Sequence, residues 1–139
     1  MPQKDLVLIL ARDLADKLAS AAFVVDRDGT LVYFNERCGE ILGRTFAEVG
    51  EMKMDDWSTR FSPTTFEDEP IPPEGLALVR AINEHVPAHE KIRIRSADGA
   101  TRGIAVTALP FFARRDEFVG AMAVFWEHAE DEGRGQAAP

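Results

Sequence analysis

The run EFVGAMAVFWE, from Glu117 to Glu127, limits the fold of this chain more than any other stretch. Phe118 to Glu127 has the composition of a strand, and side chains on a strand point alternately to two faces. A strand with one wet face alternates apolar with polar residues; here both faces are largely apolar. Such a strand needs cover on both sides. It lies at the centre of a sheet, or its outer face lies under another element. The rest of the chain must supply its neighbours and its cover.

Four further strands are predicted. Ala21 to Asp26 and Thr30 to Asn35 are rich in Phe, Val, Leu and Tyr, and Asp28-Gly29 between them is a hairpin signal, because glycine accepts the positive φ such turns demand. His89 to Arg95 alternates, with Ile92 and Ile94 inward and Lys91, Arg93 and Arg95 outward. A second turn at Asp98-Gly99 leads to Thr101–Leu109, which sets Ile104, Val106 and Ala108 on one face, and a turn over 113–116 follows.

The cover is predicted to be helical. Asn35 is a preferred N-cap for a short helix that Gly43 ends. Thr45-Phe46-Ala47-Glu48 is a capping-box pattern for another. Residues 50 to 72 are irregular, and Met52, Met54, Trp57, Phe61 and Phe66 are expected to fold back over the core. Pro72-Pro73 open a helix to Glu84 with Leu76, Val79, Ala81 and Ile82 inward. At the N-terminus, residues 4 to 19 form a helix in which Leu6, Leu10, Leu14 and Leu18 recur every fourth position. Val7, Leu8, Ile9, Ala11 and Ala15 widen this stripe. Either the helix packs wholly on its own domain, or it carries a second apolar face for another copy of the chain; the preferred reading is the second. The expected organisation is thus an amphipathic dimerisation helix over 1–20, a domain over 21–127, and a polar, Gly/Ala-rich disordered tail over 128–139 in which His128 is solvated.

With this order of elements, the chain resembles a PAS domain from about Leu14 to Glu127. The residues that carry the resemblance are FVVDRDGTLVYFNERCGEILG, RIRSADGATRGIAVTALP and EFVGAMAVFWE. The resemblance implies an α+β fold: a five-stranded antiparallel sheet in the order second, first, fifth, fourth, third, with short helices on one face and an N-terminal helix. It places a ligand cavity between sheet and helices. Phe23, Trp57, Phe61, Phe66, Leu78, Ile82, Ile92, Ile94, Val106 and Val124 are the lining candidates for a small apolar or aromatic ligand.

Other chemistries find little support in the sequence. Flavin-binding relatives carry an Asn-Cys-Arg motif, but the order here is Asn35-Glu36-Arg37-Cys38, so Cys38 reads as a helix packing residue. His85 lies where some haem-binding relatives place a ligand, but Pro87 separates it from His89 and its surroundings are polar. The carboxylate runs 67–69 and 130–132 lack the spacing of a calcium loop, and no metal site is expected. No nucleophile motif or glycine-rich phosphate loop is present, so an enzyme is not expected. A net charge of −8 opposes nucleic-acid binding, and no run approaches the ~20 apolar residues of a membrane span. The expected protein is a cytoplasmic sensory module without catalytic residues or effector. It would bind a small molecule or a separate signalling protein, pair as a homodimer and signal in trans. No cofactor is expected; a haem- or flavin-based sensor is the first alternative and a small α+β enzyme the second.

Overall fold

In the computed structural model, which describes residues 3–128, the twice-apolar strand is central. The chain runs α1 (Gln3–Lys17), β1 (Ala21–Asp26), β2 (Leu31–Phe34), α2 (Glu36–Leu42), α3 (Phe46–Val49) and α4 (Met54–Arg60). A 3-10 turn (Pro73–Gly75) then leads to α5 (Ala77–Glu84), β3 (Ala88–Arg95), β4 (Thr101–Arg114) and β5 (Glu117–Glu127). One antiparallel sheet has the order β2-β1-β5-β4-β3, as the resemblance implied. β5 pairs with β1 through Phe23↔Ala123 and with β4 through Val106↔Phe125.

The two faces of β5 meet different layers. Ala121, Ala123 and Phe125 join the main core with Phe23, Ile92, Ile104 and Val106 under the short helices. Met122 and Val124 join Ala22 and Val24 under α1, which presents Ala11 and Ala15. Both alanines are buried, and their small side chains let the helix lie close to the sheet. Tyr33 anchors α1 from β2: its hydroxyl donates to Asp16 and its ring carries the Arg12 guanidinium 5.0 Å from the centroid. Burial and the Asp16 carboxylate push the Tyr33 pKa up to about 12.

Local signals explain the joints. Gly29 takes φ +84 in the β1–β2 turn, and Gly43 takes φ +86 at the end of α2; both are left-handed conformations that a Cβ disfavours. The Thr45 capping box forms in both directions with Glu48. Asn35 caps α2 by accepting from Cys38 N–H at 2.9 Å, and it does more than cap. Its oxygen also accepts from Ala22 N–H at 3.1 Å, and its amide donates to the carbonyls of Ala15 at 2.8 Å and Ser20 at 3.0 Å. One buried side chain thereby ties α1, β1 and α2 together.

Four expectations need correction. The helix expected from Pro72 breaks at Leu76, whose backbone is extended, so that the leucine turns into the core; α5 starts at Ala77. β4 continues past Leu109 to Arg114. Pro110 lies beyond the last β3 partner, where β4 has β5 on one side only, a position a proline tolerates. Leu18 follows the end of α1 and packs inward, whereas Leu6, Leu10 and Leu14 stay 47%, 58% and 49% exposed. His128 is half-buried rather than solvated: it donates its backbone N–H to Gly103, and its ring stacks on Phe66. The remainder of the expected tail lies outside the described residues. Among the described residues, no helix is long and apolar enough to cross a membrane.

Candidate functional site

The inner face of the sheet is wider than its short helices can fill, and a cavity of about 100 Å³ lies between them. Ile92 and Ile94 on β3, Ile104 and Val106 on β4, and Ala123 and Phe125 on β5 form its floor. These residues share one face because side chains two apart on a strand point the same way. Leu42 at the end of α2, Trp57 and Ser58 on α4, and Leu76 and Leu78 at the start of α5 form its roof, with Phe61 and Pro63 beside them.

Trp57 is held in place. Its indole N–H donates to the Gly29 carbonyl at 2.7 Å, and its ring meets Phe23 edge-on at 5.4 Å. The α4 wall is therefore fixed to the β1–β2 hairpin. Pro63 and Phe61 sit in a strap that runs round the sheet edge. Thr64 exchanges two 2.9 Å backbone hydrogen bonds with Arg93, and Arg95 N–H donates to Phe61 at 2.7 Å. These bonds cover the open side of edge strand β3.

Two polar groups border this apolar space. The Ser58 hydroxyl is buried and has no hydrogen-bond partner among the described residues. Glu90 accepts from Ala77 N–H at 2.7 Å and so supplies the N-terminal cap of α5 that Leu76 cannot. Burial pushes the Glu90 carboxyl above the ordinary glutamate range, against the opposing pull of that N–H, Arg80 and His89. Neither residue belongs to a motif in the sequence. Glu90 was legible, since it has the strand parity of Ile92 and Ile94; Ser58 had no signal.

Seven of the ten lining candidates converge on the cavity: Phe23, Trp57, Phe61, Leu78, Ile92, Ile94 and Val106. Three do not. Val124 faces α1, because Ala123 and Phe125 hold the inner parity, and a strand apolar on both faces does not reveal which parity is inner. Ile82 sits one turn further along α5, beside Gly29 and Met54. Phe66 has passed with the strap round to the outer face. There it lies over Gly103, where a Cβ would crowd its ring, with His128 stacked at 5.9 Å and the Arg93 guanidinium at 5.6 Å. Arg93 also pairs with Asp68.

The residues present do not fit a haem or a flavin. His85 takes a left-handed backbone at the end of α5, is exposed, and stacks on Phe118 at 4.2 Å, away from the cavity. Cys38 is fully buried in α2 without bordering the cavity, and burial pushes its thiol well up, which disfavours a thiolate. The cavity is also far below the roughly 300–1,000 Å³ of sites for larger ligands.

Comparison with known proteins agrees with this fold. The family model described as PAS fold matches residues 15–132. Among solved structures, the Rhodobacter sphaeroides LOV protein is 15% identical, with 99% of this chain and 74% of that one covered at a TM-score of 0.68. The RsLOV d2 variant is 20% identical over 99% and 74%, at 0.71. The PAS domain from Bordetella pertussis BvgS is 16% identical over 94% and 93%, at 0.59. At these identities the likeness shows the fold alone. No curated protein matches the sequence.

Proposed function

The chain belongs to the PAS fold family of sensory signal-transduction modules, and on that premise we propose that it senses a small, largely apolar molecule held between sheet and helices. The observation that carries this reading is the apolar cavity with one orphaned hydroxyl, Ser58, at its wall. A native interior seldom leaves both a void and an unpaired buried polar group. A ligand can supply the missing contacts to both. It shifts the module only in so far as it binds one arrangement of α4, α5 and the strap better than another.

Titration with toluene tests this. Saturable NMR shifts are expected at the methyl groups of Ile92, Ile94 and Val106, together with a raised unfolding midpoint. Shifts confined to surface residues, or none at all, would remove the cavity as a ligand site.

The second part of the proposal concerns output, and it rests on α1. Leu6, Ile9, Leu10 and Leu14 are exposed there, and Trp126 is exposed on the outer face of β5. An apolar surface of this kind is a common mark of an interface. The reading is a homodimer paired through α1, which passes rearrangements of the sheet to its copy or to a separate signalling protein. Light scattering of the full chain should give a dimer mass, and Leu10→Arg with Leu14→Arg should give a folded monomer. A wild-type monomer at tens of micromolar, or a dimer that survives both arginines, rejects this interface. Unlike removal of the whole helix, these substitutions leave the buried Ala11 and Ala15 contacts in place.

A further inference from the structure

Beside the cavity lies a groove of about 540 Å³ bordered by Arg44, Arg60 and Arg95. Each arginine follows closely on a residue of the cavity wall. Arg44 comes two residues after Leu42, Arg60 two after Ser58, and Arg95 directly after Ile94. Phe61 borders both spaces, so the apolar cavity and the basic groove meet at this residue.

In a chain of net charge −8, guanidinium groups easily find carboxylates. Arg37 pairs with Glu40 and Glu127, and Arg102 with Asp98 and Glu127. Arg44, Arg60 and Arg95 are exposed, and none is within ion-pair distance of a carboxylate among the described residues. Glu48 also borders the groove; the hydrogen bonds from Thr45, the N–H at 2.8 Å among them, and the nearby Arg44 charge hold its carboxyl below the ordinary range, so it offsets one of the three positive charges. Positive charge therefore exceeds negative charge around this opening.

We propose that cavity and groove form one site for a small organic carboxylate, its apolar body in the cavity and its carboxylate between Arg44 and Arg60. The proposal rests on the cavity being a ligand site. Two features orient the ligand. Glu90 borders the cavity but not the groove, so it repels a carboxylate that points inward. The arginines attract one that points outward, through charge-assisted hydrogen bonds. Size limits the body: a dry protein cavity of about 150 Å³ accepts benzene, and this one is about 100 Å³. A single ring, or a branched aliphatic group of similar bulk, is thus the upper limit, and a ring enters only as the α4 and α5 wall yields.

Phenylacetate, toluene and acetate separate the contributions, because phenylacetate is toluene with a carboxylate added. Calorimetric or NMR titration of the full chain is expected to show phenylacetate binding at least about tenfold more tightly than toluene or acetate. Added salt should weaken phenylacetate and not toluene. In the Arg44→Gln, Arg60→Gln double variant, phenylacetate should fall to the level of toluene while toluene binding is unchanged, which also shows that the variant is folded. Phenylacetate binding no better than toluene, or unchanged in the double variant, overturns the carboxylate site and leaves the cavity reading standing. Acetate binding as well as phenylacetate overturns the joining of groove and cavity. If neither aromatic probe binds, the cavity reading itself fails.

Discussion

The two sides of the sheet are covered in opposite ways. On the outer side one helix, α1, lies close on Ala11 and Ala15 and leaves an apolar overhang of Leu6, Leu10 and Leu14. On the inner side α2, α3, α4 and α5 are each eight residues or shorter, and polar bonds hold them to the sheet and its turns. Trp57 is bonded to Gly29, Ala77 to Glu90, and Ser96 to the Ile41 carbonyl. Short helices have little stability of their own and depend on such tertiary bonds. Segments fixed at separate points need not close the space between them, and the cavity is that remaining space. The proposed interface lies on the outer layer, and the proposed ligand site in the inner one.

Asn35 belongs to both layers, so changing it is the strongest way to break the comparison. Asn35→Ala removes four side-chain hydrogen bonds and strips partners from buried backbone groups. A loss of about 3 kcal/mol in urea unfolding is expected. Asn35→Asp separates cap from tie. An aspartate still accepts from Cys38 and Ala22, but it has no donor for the Ala15 and Ser20 carbonyls and brings a negative charge to them. It should be nearly as damaging as alanine, with earlier loss of amide protection in α1 than in α2. If Asn35→Asp is close to wild type, Asn35 is only a cap and does not couple the layers.

This residue also marks how much of the molecule was legible in the sequence. The capping role of Asn35 followed from its place before a short helical pattern, because capping is local. Its bonds to Ala15 and Ser20 link it to residues 20 and 15 positions away, and no local pattern encodes such a contact. The same division holds elsewhere. The strands, the Asp28-Gly29 turn and the Gly43 stop were read from neighbours in sequence. The path of residues 61 to 69 round the edge of β3 was not, since it depends on Gly103 leaving room for Phe66 and on Arg93 meeting Asp68. Nothing in the sequence assigns Val124 to the α1 side, because apolar residues on both faces of β5 erase the alternation that would show it.

The inner layer can be probed at Ser58 with a smaller effect. Its hydroxyl is buried without a partner among the described residues, so alanine removes an unsatisfied group at the cost of very little packing. Ser58→Ala should stabilise the ligand-free protein by about 1 kcal/mol, measured by urea unfolding. It should also weaken any ligand that bonds to the hydroxyl. A comparable loss of stability instead would mean that the hydroxyl has a partner in solution, and the inner layer would then be as fully satisfied as the outer.

Glu90 gives the smallest effect, and pH reveals it. Its carboxyl titrates above the ordinary range, chiefly because burial disfavours the charged form. The folded state therefore holds this proton more tightly than the unfolded chain does. The resulting stabilisation is fully present below the unfolded-state pKa and is lost as pH rises through the folded-state value. Glutamine can still accept from Ala77 N–H, so Glu90→Gln keeps the α5 cap without burying a charge. The variant should match wild type near pH 4 and become the more stable of the two towards pH 7, measured by thermal unfolding across that window. The opposite trend, with wild type gaining on the variant as pH rises, would show that Ala77, Arg80 and His89 outweigh burial. The α5 end of the inner layer would then be held by charge, as α1 is held by Asp16 at Tyr33, and the contrast between the two sides would narrow to the cavity alone.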